Sequence, residues 1–215
     1  MKSEVAKLLR ATHLIGVIRC GARDQAKAIA ADFLEGGLKL VELTLTTPGA
    51  LDLIAELKPS AAAHGAVLGA GTVLTKDDAQ AAVAAGAAFL VSPIADPDAI
   101  AVAHAAGVLT IAGAATPNEI VTAHRLGCDI VKVYPAPHLG GPAYIRTLRG
   151  PLPEIALLAT GGTELRVEDI PGYAAAGAIG VGLGQGVLVD PAGPQATVRR
   201  IAAALETARL AWAGL

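Results

Sequence analysis

From end to end, the chain alternates short runs of β-branched and aliphatic residues with alanine-rich stretches of helical period. The apolar runs at 14–20, 38–46, 67–73, 89–94, 108–114, 129–135, 155–160 and 178–183 predict strands. Helices are predicted near 23–36, 49–63, 76–86, 96–106, 117–127, 142–149, 165–176 and 194–212, with a further short amphipathic helix at 2–11. Glycine at 36–37, 65, 86, 107, 127 and 177 marks helix ends, where a left-handed residue stops the spiral. Thr47-Pro48, Asp96-Pro97 and Thr116-Pro117 each predict a helix start. A capping oxygen is followed there by a proline whose missing N–H the first turn does not need.

Eight strand–helix units without a linker predict one α/β domain over residues 1–215, a closed (β/α)8 TIM barrel whose extra N-terminal helix covers the bottom. An open doubly wound sheet is the main rival. Against it, Cys20-Gly21-Ala22-Arg23 stands where a Gly-x-Gly-x-x-Gly turn would follow the first strand. The length of 215 residues falls below the roughly 250 usual for this barrel, so the loops must be tight.

Alternation within each strand then sorts side chains between barrel interior and helix layer. In the second strand Val41, Leu43 and Leu45 suit the helices, which turns Glu42 inward. An inward carboxylate needs a cation or a task. Lys132 lies in Asp129-Ile130-Val131-Lys132-Val133-Tyr134-Pro135, a run whose two faces are both apolar, so periodicity does not set its phase. Inward is the cheaper placement, because the polar mouth lies on that side. A buried ammonium lowers its pKa, and the resulting neutral amine attacks carbonyl groups. A structural ion pair is the competing reading of the same lysine. Arg19, near the end of the first strand, keeps its charge and seeks an anion, either Glu42 or a ligand. The third strand ends Gly69-Ala70-Gly71-Thr72, small residues that admit a ligand to the backbone beside a hydroxyl. Thr160-Gly161-Gly162 and Gly182-Leu183-Gly184-Gln185-Gly186 follow strands seven and eight, where such barrels hold phosphate on bare N–H groups.

Composition narrows the options further. The chain is 53% hydrophobic and 17% charged, with no apolar run approaching the roughly 20 residues of a membrane span. A net charge of −2 gives no electrostatic case for nucleic acid or an anionic membrane. Cys20 and Cys128 stand apart in apolar surroundings, which predicts two buried thiols in a reducing, cytoplasmic setting. The five histidines show no metal-ligand spacing, and no metal is expected.

Val41-Glu42-Leu43-Thr44-Leu45-Thr46, Gly69-Ala70-Gly71-Thr72-Val73, Val91-Ser92-Pro93, Val131-Lys132-Val133-Tyr134-Pro135 and Thr160-Gly161-Gly162 together resemble the bacterial 2-keto-3-deoxy-6-phosphogluconate and 4-hydroxy-2-oxoglutarate aldolases. The likeness runs from about Leu14 to Val189. It implies a metal-free class I aldolase that needs no cofactor, forms an imine with its substrate and assembles as a homotrimer. By that resemblance Lys132 forms the Schiff base with pyruvate and Glu42 transfers protons. Thr72 contacts the pyruvate carboxylate, Pro93 and Tyr134 shape the pocket, and Thr160 touches a hydroxyl of the aldehyde half. Gly161, Gly162, Gly184 and the backbone near Gln185 take the phosphate.

The chain departs from the pattern twice. Thr46 stands where many members have an arginine for the keto-acid carboxylate, and Arg19 is placed to supply that charge instead. Gln185 stands where serine is frequent, so a hydroxyl donor to phosphate is lost. The expected reaction is reversible cleavage of 2-dehydro-3-deoxy-6-phosphogluconate to pyruvate and glyceraldehyde 3-phosphate. Two other readings stand beside it. One is an aldolase for 4-hydroxy-2-oxoglutarate, 2-dehydro-3-deoxy-6-phosphogalactonate or another 4-hydroxy-2-oxoacid. The other is a barrel that binds phosphorylated sugars without cleaving them, or an epimerase.

Overall fold

The computed structural model describes residues 2–162 and 164–214. Helix α1 (Lys2–Thr12) precedes β1 (Leu14–Ile18), α2 (Arg23–Glu35), β2 (Leu40–Thr44), α3 (Ala50–Ala63) and β3 (Val67–Gly71). Then come α4 (Lys76–Ala84), β4 (Phe89–Val91), α5 (Pro97–Ala105), β5 (Leu109–Ala114), α6 (Pro117–Arg125) and β6 (Ile130–Val133). The chain continues through α7 (Gly141–Arg149), β7 (Leu157–Thr160), α8 (Ile170–Ala175), β8 (Gly180–Gly184), α9 (Gln185–Leu188) and α10 (Pro194–Trp212). The strands pair in chain order, all parallel, and β8 returns to β1 to close the barrel. The (β/α)8 architecture read from the sequence is the observed one.

Most strands are shorter than the apolar runs that encode them. The residues beyond their carboxyl ends, such as Arg19, Thr46 and Tyr134, belong to the loops of the barrel mouth. Two helix starts also differ from expectation. Asp96 and Thr116 cap α5 and α6 by accepting the N–H of Ala99 and Glu119. Thr47 does not cap α3, which begins only at Ala50. Its hydroxyl accepts the Cys20 N–H instead and lies against Thr44 Oγ1. The helix expected over 165–176 is broken into a single 3-10 turn at Val167–Asp169 and the short α8. Pro171 explains the break: it has no N–H for a preceding turn and fits near a helix start.

Two apolar layers result. Val41, Leu43, Ala70, Leu90, Val131, Val133 and Val181 pack outward against the helices. Ile15, Leu40, Phe89, Leu109, Ile111, Ile130 and Leu158 fill the barrel, and Val5 and Leu9 of α1 join them from below. Glycines make room where large side chains need it. A Cβ on Gly69 would lie 2.4 Å from the Phe89 ring, and one on Gly71 would lie 1.9 Å from Glu42 Oε1. The small residues of β3 thus accommodate neighbouring protein side chains, where the sequence led us to expect room for a ligand.

Candidate active site

Register fixes which residues share the upper barrel. Val17 pairs with Glu42, Glu42 with Gly69, Gly113 with Lys132, and Thr160 with Gly182. Parallel partners point the same way, so Glu42, Lys132 and Thr160 all face inward. They line one cavity of about 470 Å³, together with Val17, Arg19, Tyr134, Gly162, Gly182, Gly184, Gln185 and Gly186. Of the other residues singled out in the sequence, Thr72 reaches this group through a hydrogen bond from Arg19 Nη2 to its Oγ1, 3.2 Å long. Pro93 lies in an adjoining cavity of about 310 Å³ that shares Tyr134 with the first. Gly161 turns towards Pro137 rather than into the cavity.

The electrostatics of the cavity follow from its dryness. Lys132 is 9% exposed and Glu42 is 3% exposed. Burial pushes the Lys132 amine below its ordinary value. The Glu42 charge opposes that fall, and the Arg19 guanidinium adds to it. Burial likewise raises the Glu42 carboxyl, against the pull of Lys132 and Arg19. Desolvation penalises whichever form is charged, so both groups shift towards neutrality. Among the described residues Lys132 and Glu42 form no direct ion pair, and Arg19 forms none with Glu42. The structural ion pair weighed from sequence is therefore absent there. Lys132 Nζ sits 4.8 Å from the centroid of the Tyr134 ring, whose face favours a cation formed at that nitrogen. Thr160 Oγ1 is buried with no hydrogen-bond partner, a hydroxyl still free to bond.

Thr72 holds a backbone φ of +59°, a left-handed conformation that a β-branched residue adopts only under constraint. The hydrogen bond from Arg19 ends on this residue. No group of three or more potential metal ligands occurs among the described residues.

Comparison with known proteins decides the family. The family model described as KDPG and KHG aldolase matches residues 5–202. The chain belongs to the KDPG and KHG aldolase family. A 2-dehydro-3-deoxy-phosphogluconate aldolase of Treponema pallidum is 36% identical over 161 residues, covering 75% of this chain and 76% of its own. A probable 2-dehydro-3-deoxy-6-phosphogalactonate aldolase of Rhizobium meliloti is 33% identical, covering 80% and 79%. The crystal structure of the 2-keto-3-deoxy-6-phosphogluconate aldolase of Zymomonas mobilis, with 3-phosphoglycerate, is 27% identical. It superposes with a TM-score of 0.81 over 98% of this chain and 99% of that one. The chain is therefore an aldolase, a lyase of carbon–carbon bonds.

Sequence reasoning had not selected Val17 or the side chain of Gln185 as cavity walls, and had offered Gly182 and Gly186 only within the glycine-rich phosphate stretch. For the glycines the signal was present: Gly180, Gly182 and Gly184 alternate along β8, which strips one inner wall of side chains.

The raised Glu42 pKa has a consequence for stability. Below the ordinary value of 4.5 the carboxyl is protonated in folded and unfolded chains alike. As pH rises from there through the raised folded pKa, the unfolded chain ionises first and the folded state loses stability. Glu42→Gln removes that loss, so we expect its Tm near pH 7 to exceed that of the wild type, with the gap closing towards about pH 4. Thermal melts across this range check it; a variant less stable than wild type only at the higher pH would contradict the assignment.

Proposed function

We propose that residues 1–215 act as a single barrel aldolase domain that cleaves 2-dehydro-3-deoxy-6-phosphogluconate reversibly to pyruvate and D-glyceraldehyde 3-phosphate. The observation that carries this reading is a buried amine, Lys132, with its pKa lowered and a buried carboxyl on the same cavity wall. The neutral amine attacks the C2 ketone to give a carbinolamine, and loss of water leaves an iminium. The C3–C4 bond then breaks as the C4 hydroxyl gives up its proton. The bonding electron pair moves into the iminium and forms an enamine. Protonation at C3 and hydrolysis release pyruvate and return the amine, so no cofactor is required.

Glu42 serves each proton transfer in turn, because one carboxyl alternates between acid and base through the cycle. Arg19, bonded to Thr72, holds the keto-acid carboxylate in place of the arginine that Thr46 replaces. Tyr134 covers the reacting carbons and supports the iminium charge, and Pro93 backs it from the adjoining cavity. The unpaired Thr160 hydroxyl meets a hydroxyl of the aldehyde half. Backbone N–H groups around Gly161, Gly162, Gly184 and Gln185 take the phosphate. The cytoplasm suits this reading, as both cysteines are buried and unpaired.

The second reading, 4-hydroxy-2-oxoglutarate or another unphosphorylated 4-hydroxy-2-oxoacid, is favoured by Gln185. Glutamine offers the phosphate no hydroxyl.

Three measurements test these proposals. Lys132→Ala should abolish trapping of pyruvate by borohydride, whereas Glu42→Gln should still trap it and lose about 10²–10⁴-fold in kcat. Retained trapping by the alanine variant would remove Lys132 from the mechanism. Turnover of the phosphorylated substrate and of 4-hydroxy-2-oxoglutarate separates the two readings, since the first requires a large preference for phosphate. Homotrimer assembly, for which exposed Leu74 and Ile94 on neighbouring mouth loops provide apolar surface, should appear as a single trimeric species in sedimentation velocity.

A further inference from the structure

The side chain of Gln185 crosses from the start of α9 to the end of β1. Its Oε1 accepts the backbone N–H of Arg19 at 2.7 Å and the thiol of Cys20 at 3.3 Å. The Arg19 N–H can only donate, so the atom it meets must be the amide oxygen. Cys20 is also held from the opposite side. The Cys20 N–H donates to Thr47 Oγ1 at 3.1 Å, and Thr47 lies 3.3 Å from Thr44 Oγ1 at the end of β2. The Arg19–Cys20 segment is thus pinned between β8 and β2. From it the Arg19 side chain runs across the mouth to Thr72.

We infer that Gln185 is a positioning residue for the keto-acid half of the substrate, acting through Arg19 rather than through its own contact with the far end. This rests on the aldolase reading above, in which Arg19 binds the carboxylate beside Lys132. The tether takes the place of missing local support. Arg19 lies just past the last residue of β1, where no strand partner fixes its backbone, and its side chain is exposed. One hydrogen bond to its N–H sets the direction in which its Cα–Cβ bond leaves the chain. A long side chain magnifies any error in that direction at the guanidinium. The carboxylate of pyruvate is then bound in the correct place relative to Lys132 only while the amide oxygen of Gln185 is present. The chain thereby links the backbone that faces the phosphate to the residue that reads the opposite end.

Pyruvate alone is the right probe, because it lacks the aldehyde half and the phosphate. The amount trapped on the enzyme by borohydride is measured against pyruvate concentration for the wild type, Gln185→Leu, Gln185→Glu and Arg19→Met, and for the double variant Arg19→Met/Gln185→Leu. Leucine is similar in bulk but accepts no hydrogen bond; glutamate keeps an oxygen for both donors. The expected result is a rise of about fivefold or more in the half-saturating pyruvate for Gln185→Leu, as for loss of one hydrogen bond, with trapping still complete at saturation. Gln185→Glu should recover to within about twofold, and Gln185→Leu should add nothing in the Arg19→Met background. An unchanged midpoint for Gln185→Leu, failure of the glutamate to rescue, or an equal further loss without Arg19 would each overturn the inference. If the wild type traps no pyruvate, the aldolase reading itself falls. If it traps pyruvate but Arg19→Met leaves the midpoint unchanged, Arg19 does not bind the carboxylate and the positioning role has no object.

Discussion

Two ionisable groups, an amine and a carboxyl, are withdrawn from water in one barrel end, and neither neutralises the other by direct contact. Everything distinctive about the upper barrel serves that arrangement. Burial alone drives both towards their uncharged forms, and the nearby Arg19 guanidinium adds to the fall of the amine while opposing the rise of the acid. A tight ion pair between Lys132 and Glu42 would lock the amine as an ammonium and remove its lone pair. Keeping the two on one cavity wall but apart avoids that lock, as the proposed mechanism requires.

The fold creates this separation largely by subtraction. Gly71 gives the Glu42 carboxyl a place to lie, Gly113 lets the backbone of Pro93 approach the strand beside Lys132, and Gly182 leaves space against Thr160. Each missing methyl group stands on a strand that neighbours a functional side chain. The lower barrel is built the opposite way, with Phe89, Leu109, Ile111, Ile130 and Leu158 packed into a continuous apolar floor. Stability is thus concentrated below, and the desolvation that costs stability is confined above.

Much of this was legible in the sequence. Alternating polarity turned Glu42 inward, and the rhythm of strand, helix and glycine stop gave the closed barrel with its eight units. For Lys132 the neighbours Val131 and Val133 were as apolar as the interior, so pattern left the phase open and only register resolved it. Thr47 shows where local rules fail. It sits before a proline with a capping hydroxyl, yet Cys20, far away in the chain, claims that hydroxyl first. The Gln185 tether was hidden for the same reason, since a contact spanning 166 residues leaves no local signature. Pro171, by contrast, was visible and was outweighed by the helical alanines around it.

Helix α1 has an effect beyond packing. With Val5 and Leu9 set into the interior cluster, the amino-terminal end of the barrel is stoppered. Traffic in both directions must therefore use a single portal. On the proposed mechanism a fragment bonded to Lys132 stays behind while the untethered fragment leaves, so the two products depart in sequence. In the condensing direction the same mechanism has the keto acid bond to the amine before the aldehyde adds to it.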